Sequence, residues 1–154
     1  MRQLTLHTLF KGEEAQDDPS NSDALEIYDL FCGAGGFSEG ARAAGCRVAF
    51  ACDSDPASLA THTANHPDAT HVCCELPCEV QLPTDGRPFH LHGSPPCQQF
   101  SGLNQKDGTL KGRQHAESLV EWFLCFALSS NAHSWSMEQV ASPHVISIVE
   151  RVRK

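Results

Sequence analysis

Asp29-Leu30-Phe31-Cys32-Gly33-Ala34-Gly35-Gly36-Phe37-Ser38 is the stretch whose reading decides the fold. The apolar run from Ile27 to Phe31 has the length of a buried strand, and the glycines at 33, 35 and 36 stop it. Phe37 to Ala44 then carries helix formers up to Gly45, a natural helix C-cap. The reading is strand, glycine turn, helix.

The unit repeats along the chain. Arg47 to Cys52 predicts a second strand, and Asp53-Ser54-Asp55-Pro56 supplies cap residues and a first-turn proline for a helix to about Ala64. Thr70 to Cys74 fits a third strand and Phe89 to His92 a fourth, followed by a long loop. From about Arg113 the spacing of Leu119, Phe123, Phe126 and Ala127 predicts an amphipathic helix. His133 to Glu138 reads as a fifth strand, and Ser142-Pro143 caps a last helix with Val145, Ile148, Val149 and Val152 on one side. Strands alternating with helices predict an α/β fold with a doubly wound, mostly parallel sheet. In such sheets ligands sit at the carboxyl ends of the strands, where the glycine turn, Asp53, Cys97 and Glu138 all fall.

Composition bounds what the chain does. With 154 residues and 40% hydrophobic content, it is long enough for one domain that buries roughly two-thirds of its unfolded surface. Residues 1–24 are polar, with Glu13, Glu14, Asp17, Asp18 and Asp23, and read as a flexible leader to a domain over 25–154. Neither a membrane span nor a basic-then-apolar signal pattern is present in the sequence, so the expectation is an intracellular protein, nuclear or cytoplasmic. On that expectation the eight cysteines are reduced thiols rather than a disulfide scaffold. The formal charge of -8 argues against strong nucleic-acid binding by the chain alone. Local basic patches at Lys106, Lys111 and Arg113, or at Arg151, Arg153 and Lys154, are more simply solvated surface.

Two motifs carry candidate chemistry. The glycine turn lets backbone approach a ligand at a helix N-terminus, and Asp53 ends the next strand, where a carboxylate can hold ribose hydroxyls. The dinucleotide fingerprint G-x-G-x-x-G is not met, because Ser38 occupies its third glycine position. A tight turn with an incidental acid remains the alternative. Pro95-Pro96 stiffens the backbone before Cys97 in Gly93-Ser94-Pro95-Pro96-Cys97-Gln98-Gln99, which suits a presented nucleophile or plain loop punctuation. His62, His66, His71, Cys73, Cys74 and Cys78 lie within seventeen residues but lack zinc spacing, so no metal site is expected. Trp122 and Trp135 are expected to pack in the core.

The Asp29–Ser38 stretch, the acidic end of strand two, Pro95-Pro96-Cys97-Gln98 and Glu138 in Met137-Glu138-Gln139-Val140 together resemble the DNA cytosine-5 methyltransferases in order and spacing. The resemblance spans residues 25 to about 150. It implies a Rossmann-like methyltransferase fold, truncated after about five strands, and methyl transfer from S-adenosyl-L-methionine to C5 of cytosine. By resemblance Cys97 attacks C6 of the base and Glu138 contacts its N3 and exocyclic amine. The resemblance also assigns Asp29, Phe31, Gly33, Gly35 and Pro95 to the cofactor turn and its surroundings, Asp53 to the ribose, Ser54 to the adenine side and Glu75 to the adenine amine. The partner implied is DNA with its cytosine flipped from the duplex, read by a target recognition domain on a second polypeptide or a missing half. An RNA substrate, or a non-catalytic remnant that binds S-adenosyl-L-methionine or a protein partner, are the alternatives.

The chain also departs from the family pattern. Gln139 stands where the family usually has asparagine. Strands four and five, Phe89-His90-Leu91-His92 and His133-Ser134-Trp135-Ser136-Met137, alternate polar with apolar, which predicts one uncovered sheet face.

Overall fold

The computed structural model describes residues 24–82, 86–97 and 110–153. Its elements are β1 (Glu26–Leu30), α1 (Gly36–Ala43), β2 (Arg47–Asp53), α2 (Pro56–Asn65), β3 (Thr70–Cys73), β4 (Phe89–Gly93), α3 (Leu110–Ser129), β5 (Ser134–Met137) and α4 (Pro143–Val152). The leader expected over 1–24 lies outside the described residues up to residue 23. Among the described residues no helix is long and apolar enough to cross a membrane.

The five strands form one sheet in the order β3-β2-β1-β4-β5. Every neighbouring pair is parallel. β1 pairs with β2 from Glu26–Arg47 to Leu30–Cys52 and with β4 from Glu26–Phe89 to Leu30–Gly93. The chain therefore winds outward from β1 in both directions, which is the doubly wound arrangement that the alternating pattern predicts.

Local chemistry explains where the helices begin. Asp55 caps α2 by accepting from the N–H groups of Ala57 and Ser58, with Pro56 at the first helical position. Ser142 caps α4 in the same way through the Val145 N–H, ahead of Pro143. Helix α3 starts at Leu110, three residues earlier than the amphipathic spacing alone suggests.

The two sheet faces are chemically different. Successive strand residues point to opposite faces. Phe89 and Leu91 pack with Leu30, Phe50, Cys52 and Phe123 of α3 in the main apolar core. His90 and His92 point the other way, beneath Phe37 of α1, whose ring stacks on His92 with centroids 3.5 Å apart. That face is thus covered, which corrects the expectation drawn from the alternating pattern. Its polar groups are met from β5: His90 reaches the Ser134 and Ser136 hydroxyls, each at 2.8 Å, and His92 Nδ1 reaches Ser136 at 2.8 Å. Glu26 is buried at the opposite end of β1 and is paired with Arg47 and Arg87.

Two further expectations change. Trp122 packs partly buried against Phe31 and Phe126, but Trp135 is 39% exposed. Trp135 pairs with Leu91 at the outer strand, where no further strand covers it among the described residues. Cys74 and Cys78 are bonded as a disulfide rather than held as thiols, because the short loop between them folds back to bring their Cα atoms within 6.7 Å.

Gly93 ends β4 directly against the ring of Phe123, and a Cβ at this position would overlap that ring. Gly93→Ala is expected to lower stability by about 1–3 kcal/mol through overpacking. Phe123→Leu in the same chain should recover part of the loss, measured by urea unfolding of both variants.

Candidate active site

β1 lies between strands whose crossovers leave in opposite directions, so the loops after β1 and β4 diverge and leave a crevice at their carboxyl ends. The glycine turn forms one wall. Phe31 sits in the left-handed region at φ 58, unusual for a bulky side chain, and is followed by Gly35 at φ 99. The Gly33 N–H donates to Asp53 Oδ2 at 2.8 Å, and the Asp55 N–H donates to Oδ1 at 2.8 Å. The turn and the end of β2 are thereby locked together, with the Asp53 carboxylate held in one orientation.

Phe31, Asp53, Ser54 and Glu75, four of the residues singled out from sequence, line one pocket together with Pro96 and His115. Asp53 is half-buried, while Ser54 and Glu75 are exposed at the rim. His115, near the start of α3, lies 4.0 Å from Glu75. It carried no motif signal, because its approach depends on how α3 returns over the sheet.

The cysteine loop is tied to the same turn. Ser94 donates its hydroxyl proton to the Phe31 carbonyl at 2.9 Å and its N–H to the Leu30 carbonyl at 3.2 Å. Pro95 is buried, and its carbonyl accepts from Gln139 Nε2 at 2.9 Å. Gln139 therefore braces the cysteine loop from the end of β5, with its own Oε1 accepting from the Val140 N–H. Glu138 is exposed beside it, with its backbone N–H bonded to the Gly93 carbonyl at 3.0 Å. Cys97 is a free, half-buried thiol at the end of this loop. Residues 98–109 lie outside the described residues.

Asp29 is placed differently from the pocket residues. It is 1% exposed beneath the glycine turn and accepts from the Ser38 hydroxyl at 2.7 Å. Burial, with the nearby Asp53 carboxylate, pushes its carboxyl up to about 7 against the opposing Ser38 hydrogen bond. Among the described residues, no three or more His, Cys, Asp or Glu side chains are grouped to hold a metal ion. The histidines 62 and 71 bond to each other instead.

A family model described as "C-5 cytosine-specific DNA methylase" matches residues 25–123, more than half of the chain. The chain belongs to the C-5 cytosine-specific DNA methylase family. Type II methyltransferase M.AgeI of Thalassovita gelatinovora is 40% identical over a 91-residue alignment that covers 53% of this chain and 21% of that protein. DNA (cytosine-5)-methyltransferase PliMCI of Paracentrotus lividus is 34% identical over a 96-residue alignment that covers 53% of this chain and 6% of that one. The fold is also similar to a solved E. coli prophage chain described as a candidate DNA modification methyltransferase, at TM-score 0.56 and 26% identity, over 84% of this chain and 36% of that one. The chain thus spans a minor part of the length of these relatives.

Buried titrating groups give this C-5 cytosine-specific methylase domain a distinctive acid response. Burial pushes His62 and His92 each down to about 4, and neighbouring histidines add to the shift. Between about 4 and 6.5 the unfolded chain binds protons that these two imidazoles refuse, so their contribution to stability grows with pH. Asp29 acts oppositely: between 3.8 and about 7 the folded chain holds a proton that the unfolded chain has released, so its contribution falls with pH. Two imidazoles outweigh one carboxyl below 6.5, and above it the remaining proton release of the unfolded imidazoles nearly cancels that of Asp29. The unfolding midpoint should rise from about pH 4.5 to about 7 and then level off, and Asp29→Asn should steepen that rise, measured by thermal unfolding from about pH 4.5 to 8.

Proposed function

We propose that this chain carries the cofactor pocket and the nucleophile of an enzyme that methylates C5 of cytosine in DNA, with S-adenosyl-L-methionine as methyl donor. The convergence of Phe31, Asp53, Ser54 and Glu75 on one pocket, with the Cys97 loop tied to the same turn through Ser94, supports this reading.

The residues present fit an adenosine-bearing ligand. Asp53 uses one carboxylate oxygen to fix the glycine turn and the other to hold the Asp55 N–H, and their remaining lone pairs suit ribose hydroxyls. Phe31 offers an aromatic face, Glu75 an acceptor for an exocyclic amine, and Ser54 a rim contact. Gly33 and Gly35 bring backbone close without side-chain interference. S-Adenosyl-L-methionine, when bound, supplies a methyl group activated by its sulfonium.

The chain's own part is to make cytosine reactive. Cytosine C5 is a weak nucleophile until a thiolate adds to C6 and pushes the ring electrons toward C5. Cys97 would form that bond, held in place by Pro95, Pro96 and the Gln139 brace. Glu138 would hold the proton at N3 and accept from the exocyclic amine as charge builds. Loss of the C5 proton after methylation returns the electrons and releases the thiolate. The base must leave the duplex to reach Cys97. With a net charge of -8, this chain relies on a second polypeptide or segment for DNA recognition.

The same charge favours a second reading, a cofactor-binding unit that transfers nothing. Titration calorimetry with S-adenosyl-L-methionine separates the outcomes. Saturable binding is expected, weakened at least about tenfold by Asp53→Ala and unchanged by Cys97→Ser. A folded chain that binds no cofactor would sink the proposal. Covalent capture of 5-fluorocytosine DNA, with a recognition segment supplied, tests Cys97; capture of the matching RNA instead would redirect the substrate.

A further inference from the structure

Beneath the glycine turn a chain of polar side chains crosses four elements without touching the pocket. The Ser38 hydroxyl on α1 donates to Asp29 Oδ2 at 2.7 Å. His62 Nε2 on α2 lies 3.0 Å from that hydroxyl, and His62 Nδ1 lies 2.8 Å from His71 Nε2 on β3. Asp29, Ser38 and His62 are buried, whereas His71 is half-buried on an edge strand.

The hydrogen-bond roles follow from counting protons. With Asp29 ionised and taking the one Ser38 proton, the Ser38 oxygen can only accept from a ring nitrogen, so His62 carries its proton on Nε2. His62 Nδ1 is then a bare acceptor, and His71 must donate from Nε2. Each donor points inward, toward Asp29. The arrangement fixes the ring of His62 at both nitrogens.

That ring is also the floor of the turn. A Cβ at Gly35 would come within 2.9 Å of His62 Cδ2, so the Gly35 backbone rests on the imidazole edge. The turn is gripped in front by Asp53 through the Gly33 N–H and supported behind by His62. We propose that His62 is a positioning residue for the cofactor turn: tethered by Ser38 and His71, its ring sets where Gly35 and the start of α1 sit relative to Asp53. The inference rests on the reading of the pocket as the cofactor site. It gives a role to three side chains, Ser38, His62 and His71, that the proposed chemistry does not use.

The test compares His62→Phe, which keeps a ring under Gly35 but no hydrogen bonds, with His62→Gln, which restores a donor toward Ser38. Each variant is followed by the affinity for S-adenosyl-L-methionine, by hydrogen exchange at the Gly33 and Gly35 amides, and by the unfolding midpoint. The expected result is cofactor binding weakened about tenfold in His62→Phe, faster exchange at both glycines, and partial recovery of both in His62→Gln. Nitrogen NMR of the wild-type ring should show the proton on Nε2. A His62→Phe chain that folds, binds within about twofold of wild type and keeps both amides protected overturns the proposal. If the wild-type chain binds no cofactor, the pocket reading fails on its own, and the amide exchange still decides whether His62 holds the turn. If His62→Phe does not fold, His71→Ala, at the half-exposed end of the chain, takes its place. Faster glycine exchange in that variant supports the tether, and unchanged exchange overturns it.

Discussion

β1 is hydrogen-bonded along both edges to parallel strands, and most of the site follows from that constraint. A parallel strand in the middle of a sheet leaves its carboxyl end open, because the crossovers on either side run to opposite faces. The chain must turn sharply there, and Phe31 at φ 58 and Gly35 at φ 99 record how sharply. The loop after β4 starts in register beside it, so Ser94 can reach the Phe31 carbonyl. A candidate nucleophile and a candidate cofactor turn more than sixty positions apart in sequence thus share one scaffold.

The two faces of the sheet meet different demands. Toward α3 the strands present Leu30, Phe50, Phe89 and Leu91, an apolar layer closed by Phe123. Toward α1 and α2 they present Asp29, His90 and His92, with Ser134 and Ser136 of β5 alongside. A buried polar layer is stable only where each group finds a partner. Here hydroxyls supply most of them: Ser38 serves Asp29 and His62, while Ser136 serves both His90 and His92. His92 Nε2 and Asp29 Oδ1 have no hydrogen-bond partner among the described residues, and burial shifts the protonation of both side chains.

The pocket and this polar layer differ in how the sequence carries them. The pocket draws on short motifs, each local to one loop. The layer draws on single residues from β1, α1, α2, β3, β4 and β5, and no contiguous stretch announces it. Gln139 is a similar case: it reads as a departure from a usual asparagine, yet its longer amide spans the gap to the Pro95 carbonyl.

The succession of strands and helices, the helix starts and four of the pocket residues, Phe31, Asp53, Ser54 and Glu75, were legible in the sequence, because period, caps and glycine placement act over a few residues. Asp55-Pro56 and Ser142-Pro143 open their helices as their chemistry dictates. The alternation in β4 and β5 was legible too, but its meaning was not: polar residues on a strand face read as solvent-facing until Phe37 is seen stacked over them. Trp135 ended half-exposed for the converse reason, since its size argues for burial while its place on the outer strand leaves little to bury it. The sequence by itself determined the elements, the parallel winding and the candidate chemistry at the strand ends. Only the tertiary structure decided which polar groups meet, because hydrogen bonds between side chains nine to forty-six residues apart depend on packing that no local pattern encodes.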